Sequence, residues 1–209
     1  MIQEPVLSKE REQDHCEIEG NKRMDKNKLL KHFFADHLGM FVHWGLFSVS
    51  AGIWKGQQLG QYELGEGIIR TFRIPIAEYR ELAKQFRPKD SWAEDRVLTA
   101  RDAGMRYMVI TAKHCDGFCL FRSKVNDYNA FDAIGRDLIQ ELAAACRRHG
   151  LKLGIYYNHT LDCSEEHAPG SISASGVRLD QPLCNDWDFT DNDHKDYKIF
   201  LHKKVMPQV

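Results

Sequence analysis

Four polar residues follow one apolar stretch in the middle of the chain, and their side chains could bind or activate a polar ligand. The apolar, partly β-branched run Tyr107–Ala112 leads directly into Lys113, His114, Cys115 and Asp116. A short apolar run bounded by turn signals is typical of a strand buried on both faces. Because ligands bind at the carboxyl ends of strands in parallel α/β sheets, the sequence predicts a functional site at this strand end.

Two other apolar runs end in polar or aromatic side chains in the same way. Leu38–Val42 is followed by His43, and the run that starts at Leu151 leads to Tyr157 and His159. A single histidine after a strand is often a structural group. Two histidines at matching positions, His43 and His114, favour one shared site.

Helical patterns separate these three runs, so the sequence predicts an α/β fold with a parallel sheet and right-handed crossovers. Helices are expected from Ile74, from Ser91 as a cap with Glu94 three residues on, over 135–150, and from about Asp193. A polar insertion is expected over 163–188.

A long glycine-rich loop over 46–73 follows the first strand. It carries Trp54, Tyr62, Glu63 and Glu66. Loops of this length inside a compact domain are usually functional or disordered.

Composition excludes several classes of partner. The chain has 209 residues, 43% hydrophobic content and a formal charge of -1, so it lacks the basic surface of a nucleic-acid binder. Its apolar runs are far shorter than the ~18 residues of a membrane span, and no signal-peptide pattern opens it. We therefore expect no nucleic-acid or membrane partner and a cytoplasmic location. Residues 1–28 have the charged, aromatic-poor composition of a disordered arm, and 29–209 would form the folded part.

Six cysteines are spread along the chain without the paired spacings of a zinc ribbon or a disulfide framework. We predict mostly free thiols, and no bridge between Cys115 and Cys119.

Several motifs in this sequence resemble the N-terminal half of the α-L-fucosidases of glycoside hydrolase family 29. The matching stretches, in the family's order and spacing, are 39–45 (GMFVHWG), 111–118 (TAKHCDGF), 135–137 (GRD) and 154–157 (GIYY). The resemblance implies the N-terminal portion of a (β/α)8 TIM-type barrel, truncated before strand four. It also implies retaining hydrolysis that releases L-fucose from fucosylated oligosaccharides or glycoconjugates, with no cofactor or metal ion.

The resemblance also implies roles for individual residues. His43 and His114 match the family's histidines that hydrogen-bond fucose, Tyr157 matches a tyrosine of the sugar pocket, and Glu66 matches the glutamate of a Glu-Trp pair. Cys115 stands where the family has a second histidine, and Gly67 stands where it has the tryptophan. Both departures bear on sugar specificity, because a thiol is a poor hydrogen-bond partner and a glycine provides no apolar wall.

The hydrolytic carboxyl groups are expected elsewhere. Retaining hydrolysis needs two carboxyl groups about 5 Å apart. In the family the nucleophile is an aspartate at the end of strand four, so both groups are expected beyond Val209. We therefore expect residues 1–209 alone to have no hydrolytic turnover.

Three other interpretations compete with this one. A metal-dependent hydrolase would use His43, His114, Asp116 and His159 as zinc ligands, but the usual short spacings between zinc-binding histidines do not occur. A thiol enzyme would use Cys115 as its nucleophile. A non-catalytic sugar-binding remnant would keep the pocket without the chemistry.

Overall fold

The computed structural model describes residues 30–31, 34–165, 168 and 195–209. Asp36–Val209 forms one compact unit, and Met1–Ala35 is assigned to another. The expected arm over 1–28 and most of the polar insertion over 163–188 lie outside the described residues. Within the described part, no helix has the length and apolar character needed to cross a membrane.

The strands are β1 (Gly39–Val42), β2 (Ile53–Trp54), β3 (Gln57–Gln58), β4 (Tyr107–Lys113) and β5 (Lys152–Tyr157). The α-helices are α1 (Phe47–Ser50), α2 (Ile68–Thr71), α3 (Ile76–Tyr79), α4 (Trp92–Asp102), α5 (Ala130–Ile134), α6 (Leu138–His149) and α7 (Lys195–Phe200). Gly65–Gly67, Arg80–Gln85 and Met206–Gln208 are 3₁₀ helices, and Leu201–Val205 is a π-helical turn.

The predicted parallel sheet is confirmed. Its order is β1-β4-β5, with both neighbours parallel to the central strand β4. The β4–β5 register is regular until Thr111 pairs with Tyr156, and a bulge then pairs Lys113 with Tyr157. This bulge changes which side chains share a face at the carboxyl end of the sheet.

Two helices cover one face of this sheet and form the core with it. Helix α4 contacts β4, α6 contacts β5, and the two helices contact each other. Val97 of α4, Leu142 of α6 and Ile110 of β4 are all completely buried. Burial of such side chains stabilises the fold by about 1.5–3 kcal/mol each. This packing holds the strand ends in fixed positions.

The helix expected over 135–150 is present, but it starts later. Asp137 caps α6 by accepting a hydrogen bond from the Gln140 amide at 2.9 Å. Gly150 ends the helix in the left-handed conformation, with φ 72°. Gly135, where the helix was expected to begin, ends α5 instead with φ 74°.

The helix expected after Ser91 is present, but the expected cap by the Ser91 side chain is wrong. Ser91 precedes α4, but its hydroxyl donates to Asp95 at 2.8 Å and caps no backbone amide. Glu94 instead forms ion pairs with Arg148 and His149 of α6. Tertiary contacts between the two helices therefore replace the local cap.

The helix expected from Ile74 and the loop over 46–73 both differ from expectation. The helix is divided into α3 and the 3₁₀ helix Arg80–Gln85. The loop contains α1, α2 and the β2–β3 hairpin, whose Lys55-Gly56 turn has φ 48° and 81°. Two positive φ values are the mark of a type I′ hairpin turn.

Candidate functional site

Three side chains from distant segments meet at the carboxyl end of the parallel sheet. His43 follows β1, His114 follows β4, and Glu66 lies on the 3₁₀ helix of the long loop. One potential ligand atom from each lies within 4.8 Å of the other two. His43 is exposed, and Glu66 and His114 are half-buried, so the group faces solvent and is open to a ligand. We call these three residues the His-Glu-His cluster.

A buried threonine fixes the two strand ends that carry the histidines. Thr111 is 1% exposed, and its hydroxyl oxygen accepts from the Trp44 amide at 3.1 Å. The same hydroxyl lies 3.1 Å from the Trp44 carbonyl oxygen, to which it donates. The end of β1 is thereby joined to β4, which sets the position of His43 relative to His114.

Aromatic rings surround the cluster. Tyr156 stacks on His114, with ring centroids 5.6 Å apart and planes 23° from parallel, and lies 6.2 Å from His43. Phe47 of α1 meets His114 edge-on at 6.0 Å, and Phe41 lies 4.4 Å from the His43 ring. Polar groups against an aromatic wall are the usual composition of a small-molecule binding site.

The structure brings Tyr156, and not Tyr157, to the histidines. The Tyr157 hydroxyl donates to Gln208 at 3.0 Å, and its ring lies 4.8 Å from the Lys113 ammonium. Strand alternation places these neighbours on opposite faces, and the bulge after Thr111 decides which of them accompanies His114. Nothing in the sequence signals this bulge, so Tyr156 was missed.

Cys115 lies directly behind His114 at 3% exposure. Its sulfur is 3.4 Å from His114 Nδ1 and, as a thiol, donates to the Glu66 carbonyl at 3.5 Å. A hydrogen bond from the Cys163 thiol lowers the Cys115 pKa to about 5; burial opposes this shift, and His114 assists it. Burial also disfavours a charged His114, but the hydrogen bond and charge of Cys115 raise its pKa overall.

Two of the four polar residues at the carboxyl end of β4, Lys113 and Asp116, have structural roles. Asp116 is 1% exposed and accepts from the Tyr79 hydroxyl at 3.2 Å and the Phe118 amide at 3.3 Å. Burial raises its pKa to about 7, and the negative charge of Cys115 adds to this effect. Gly117 follows with φ 81°, and a Cβ there would lie 2.0 Å from Ser164 Oγ. The turn therefore requires glycine.

Lys113 is also structural. Its ammonium is buried and forms an ion pair with Asp162 at 2.5 Å, with both side chains 1% exposed. It donates to the Asn158 carbonyl at 3.3 Å and lies 5.3 Å from the centre of the Phe200 ring. Burial disfavours the charged form, but Asp162 outweighs this effect and raises the Lys113 pKa.

The structure corrects the zinc-ligand set considered from the sequence. Asp116 faces Tyr79 and Phe118, away from a metal site, and His159 is an exposed residue outside the His-Glu-His cluster. Across the described ranges, the cluster is the one group of three or more such side chains close enough to share an ion. The carboxylate beside the two histidines is that of Glu66, and not that of Asp116 as the zinc-site interpretation expected.

The thiol predictions are confirmed where the structure describes them. Cys115, Cys119, Cys146 and Cys163 are all free and buried. Cys115 and Cys119 do not pair, and burial raises the Cys119 pKa to about 12. Cys115 is close to Cys163, whose amide donates to the Cys115 carbonyl at 2.7 Å.

Several known proteins are similar to this chain in sequence and fold. A family model described as Alpha-L-fucosidase matches residues 6–209. The tissue alpha-L-fucosidase of Bos taurus is 35% identical over 147 residues, which make up 65% of this chain and 30% of that protein. The chain thus spans about a third of the length of the curated relatives it matches.

Solved structures give the same result. Unliganded alpha-L-fucosidase AlfC from Lactobacillus casei is 39% identical with a TM-score of 0.75, covering 87% of this chain and 55% of that one. AlfC in complex with its alpha-L-fucose product is 39% identical with a TM-score of 0.74, covering 86% and 56%. A family match over nearly the whole sequence and a shared parallel sheet lead to one conclusion: this chain belongs to the alpha-L-fucosidase family of glycosidases.

Proposed function

We propose that this chain supplies the fucose-recognition part of a retaining α-L-fucosidase. The observation that carries the proposal is the convergence of His43, Glu66 and His114 within 4.8 Å at the carboxyl end of a parallel sheet. The similar AlfC protein is solved with an alpha-L-fucose product and with Fuca(1,6)GlcNAc. Fucosylated glycans are therefore the proposed substrate class.

The cluster has the chemistry to bind several sugar hydroxyls. Imidazole nitrogens donate or accept according to their protonation, and the Glu66 carboxylate accepts two or more hydrogen bonds. Tyr156 presents a ring 5.6 Å from His114, which suits the apolar face of a pyranose. We assign hydroxyl binding to His43, Glu66 and His114, and the aromatic wall to Tyr156.

Cys115 and Gly67 are proposed to change specificity without changing the reaction. Cys115 contacts His114 and is almost fully buried, so it acts on the sugar through His114. Gly67 has open space where a Cβ would lie, so this side of the pocket has room for a larger aglycone. Tyr157 is left with a structural role in this proposal.

Hydrolysis itself is proposed to need groups other than those around this cluster. Retaining chemistry uses two carboxyl groups about 5 Å apart. Asp116 is buried and occupied by two hydrogen bonds, and Glu66 belongs to the His-Glu-His cluster. We therefore infer that residues 1–209 bind the sugar but do not hydrolyse the glycoside.

We also infer that the three-stranded sheet is the first part of a (β/α)8 barrel. The strands are parallel and alternate with helices on one face, as in that fold. Phe41 on β1 is 52% exposed and Ile155 on β5 is 50% exposed. A cavity of about 670 Å³, lined by Phe41, His43 and Arg96, lies at the same edge of the sheet as β1.

Calorimetric titration of chain 1–209 with L-fucose tests the recognition role. We expect saturable binding that His43→Ala weakens about tenfold or more, the effect of losing ~1.4 kcal/mol of hydrogen bonding. His202→Ala, a change of an exposed histidine on the C-terminal π-helical turn, is the matched control and should bind L-fucose normally. Equal affinity in His43→Ala and the parent would contradict the assignment.

An assay with a chromogenic α-L-fucoside tests whether chain 1–209 binds the sugar without hydrolysing the glycoside. We expect no release of the chromophore by chain 1–209 above the buffer rate. Turnover that is abolished in His43→Ala would show that these residues carry a complete hydrolytic site, and the binding-only inference would be wrong.

A further inference from the structure

The His-Glu-His cluster also has the ligand set of a transition-metal site. One class of zinc site has two histidines and one glutamate as its protein ligands, and water occupies the fourth position. Here one potential ligand atom from each residue lies within 4.8 Å of the others. With zinc bonds of about 2.1 Å, tetrahedral ligand atoms lie about 3.4 Å apart, so the three side chains would close in by about 1.4 Å at most.

The side chains of His43 and Glu66 are the two that would make this movement. His43 is exposed at the end of β1, and Glu66 is on a short 3₁₀ helix in the long loop. His114 is the fixed member, since it is packed between Tyr156 and Phe47. A rigid imidazole with two adjustable partners can adapt to a small ion.

Cys115 orients His114 for this role. Its sulfur lies 3.4 Å from His114 Nδ1, so Nε2 is the nitrogen that remains for a ligand. Metal-binding histidines almost always use their other nitrogen in such a hydrogen bond, which fixes the ring and its tautomer. The Cys163 amide holds Cys115 from the far side by a hydrogen bond of 2.7 Å to its carbonyl.

We propose that a divalent transition-metal ion, with zinc as the best match to this ligand set, binds to His43, Glu66 and His114 and excludes the sugar. Cys115 is a positioning residue that acts through His114. From the sequence we expected no metal ion, because the ligands come from three distant segments without a short His spacing. The binding of zinc stands on the geometry alone, and its competition with L-fucose rests on the proposed function.

Calorimetric titration of metal-free chain 1–209 with zinc chloride tests the site. We expect one ion per chain, with binding weakened about tenfold or more by His43→Ala, Glu66→Gln or His114→Gln. Cys115→Ala, which removes the contact with His114 Nδ1, should weaken binding within the ~10–100-fold range of residues that orient a ligand. His202→Ala is the control for zinc bound to a surface histidine and should titrate like the parent. Circular dichroism checks that each variant is folded.

Cobalt(II) absorption provides a second readout that does not depend on activity. We expect the visible bands of a nitrogen and oxygen site, without a sulfur-to-cobalt charge-transfer band. A sulfur band that disappears in Cys115→Ser would overturn the proposal, because the thiol would then be a ligand. Failure of the parent chain to bind zinc would overturn it as well and would leave the fucose assignment intact.

Competition with L-fucose completes the test. Saturating L-fucose should reduce the apparent zinc affinity of the parent chain and leave the residual zinc binding of His43→Ala unchanged. Zinc binding that is indifferent to L-fucose, in a chain that demonstrably binds L-fucose, would overturn the shared site.

Discussion

At the scale of single residues, the site depends on which of two adjacent tyrosines faces the histidines. Tyr156 stacks on His114, and Tyr157 faces Lys113 and Gln208. The family resemblance pointed to Tyr157, because the sequence motif does not record the bulge between Thr111 and Lys113. The two residues are therefore a natural pair of test and control.

Replacing each tyrosine separately should give different results. Tyr156→Ala removes an aromatic wall worth about 0.5–1.5 kcal/mol, so L-fucose affinity should fall by roughly two- to tenfold. Tyr157→Phe keeps the ring and removes only the hydrogen bond to Gln208, so affinity should be unchanged. Calorimetric titration with L-fucose measures both. A loss of affinity in Tyr157→Phe alone would restore the assignment made from the resemblance.

At the scale of elements, the carboxyl end of β4 is held by a buried ion pair. Lys113 of β4 and Asp162 of the segment after β5 are 2.5 Å apart and almost fully buried. Asp162 also accepts from the Ser164 amide at 2.9 Å, which orders the turn beside Gly117. This arrangement positions the strand end that carries His114.

Removing one partner of this ion pair should strongly reduce the stability of the fold. Lys113→Met leaves Asp162 charged and unpaired in the interior, so the free energy of unfolding should fall by about 3–5 kcal/mol. Lys84→Met removes the exposed Lys84–Glu81 ion pair and should change it by less than about 1 kcal/mol. Urea denaturation measures both. Equal effects would mean that the buried pair does not hold the strand end.

The contact between α4 and α6 should depend on pH. Glu141 of α6 accepts from the Trp92 indole at 2.6 Å and from Arg136 at 2.7 and 2.8 Å. Burial raises the pKa of Glu141, but the hydrogen bonds from Arg136 and Trp92 outweigh it and lower the pKa overall. A carboxyl group with a lowered pKa in the folded state stabilises the protein above its unfolded pKa and loses this effect as pH falls through the folded pKa.

Glu141→Gln should therefore lower the stability of the protein at neutral pH and leave it unchanged in acid. At pH 7 the substitution should reduce the free energy of unfolding by about 1–2 kcal/mol. Well below the Glu141 pKa the variant and the parent should be equally stable, because both side chains are then neutral. Urea denaturation across this range checks the sign. A difference that stays constant with pH would contradict the role of the charge.

At the scale of the whole molecule, the sequence predicted the parallel sheet and the segments that meet at its end. Apolar runs ending at His43 and His114 were sufficient to place two strands and their histidines, since strand ends share one edge. The structure of the long loop could not be predicted, because α1, α2 and the β2–β3 hairpin are too short for a periodic pattern. The roles of Lys113 and Asp116 were hidden for another reason, because their partners Asp162 and Tyr79 are distant in sequence.

A crystal structure of chain 1–209 with L-fucose would show directly whether the His-Glu-His cluster is where the sugar binds. We expect His43, Glu66 and His114 each to lie within hydrogen-bond distance of a sugar hydroxyl, with Tyr156 against the ring. Sugar bound elsewhere on the chain while the His-Glu-His cluster holds only water would contradict it.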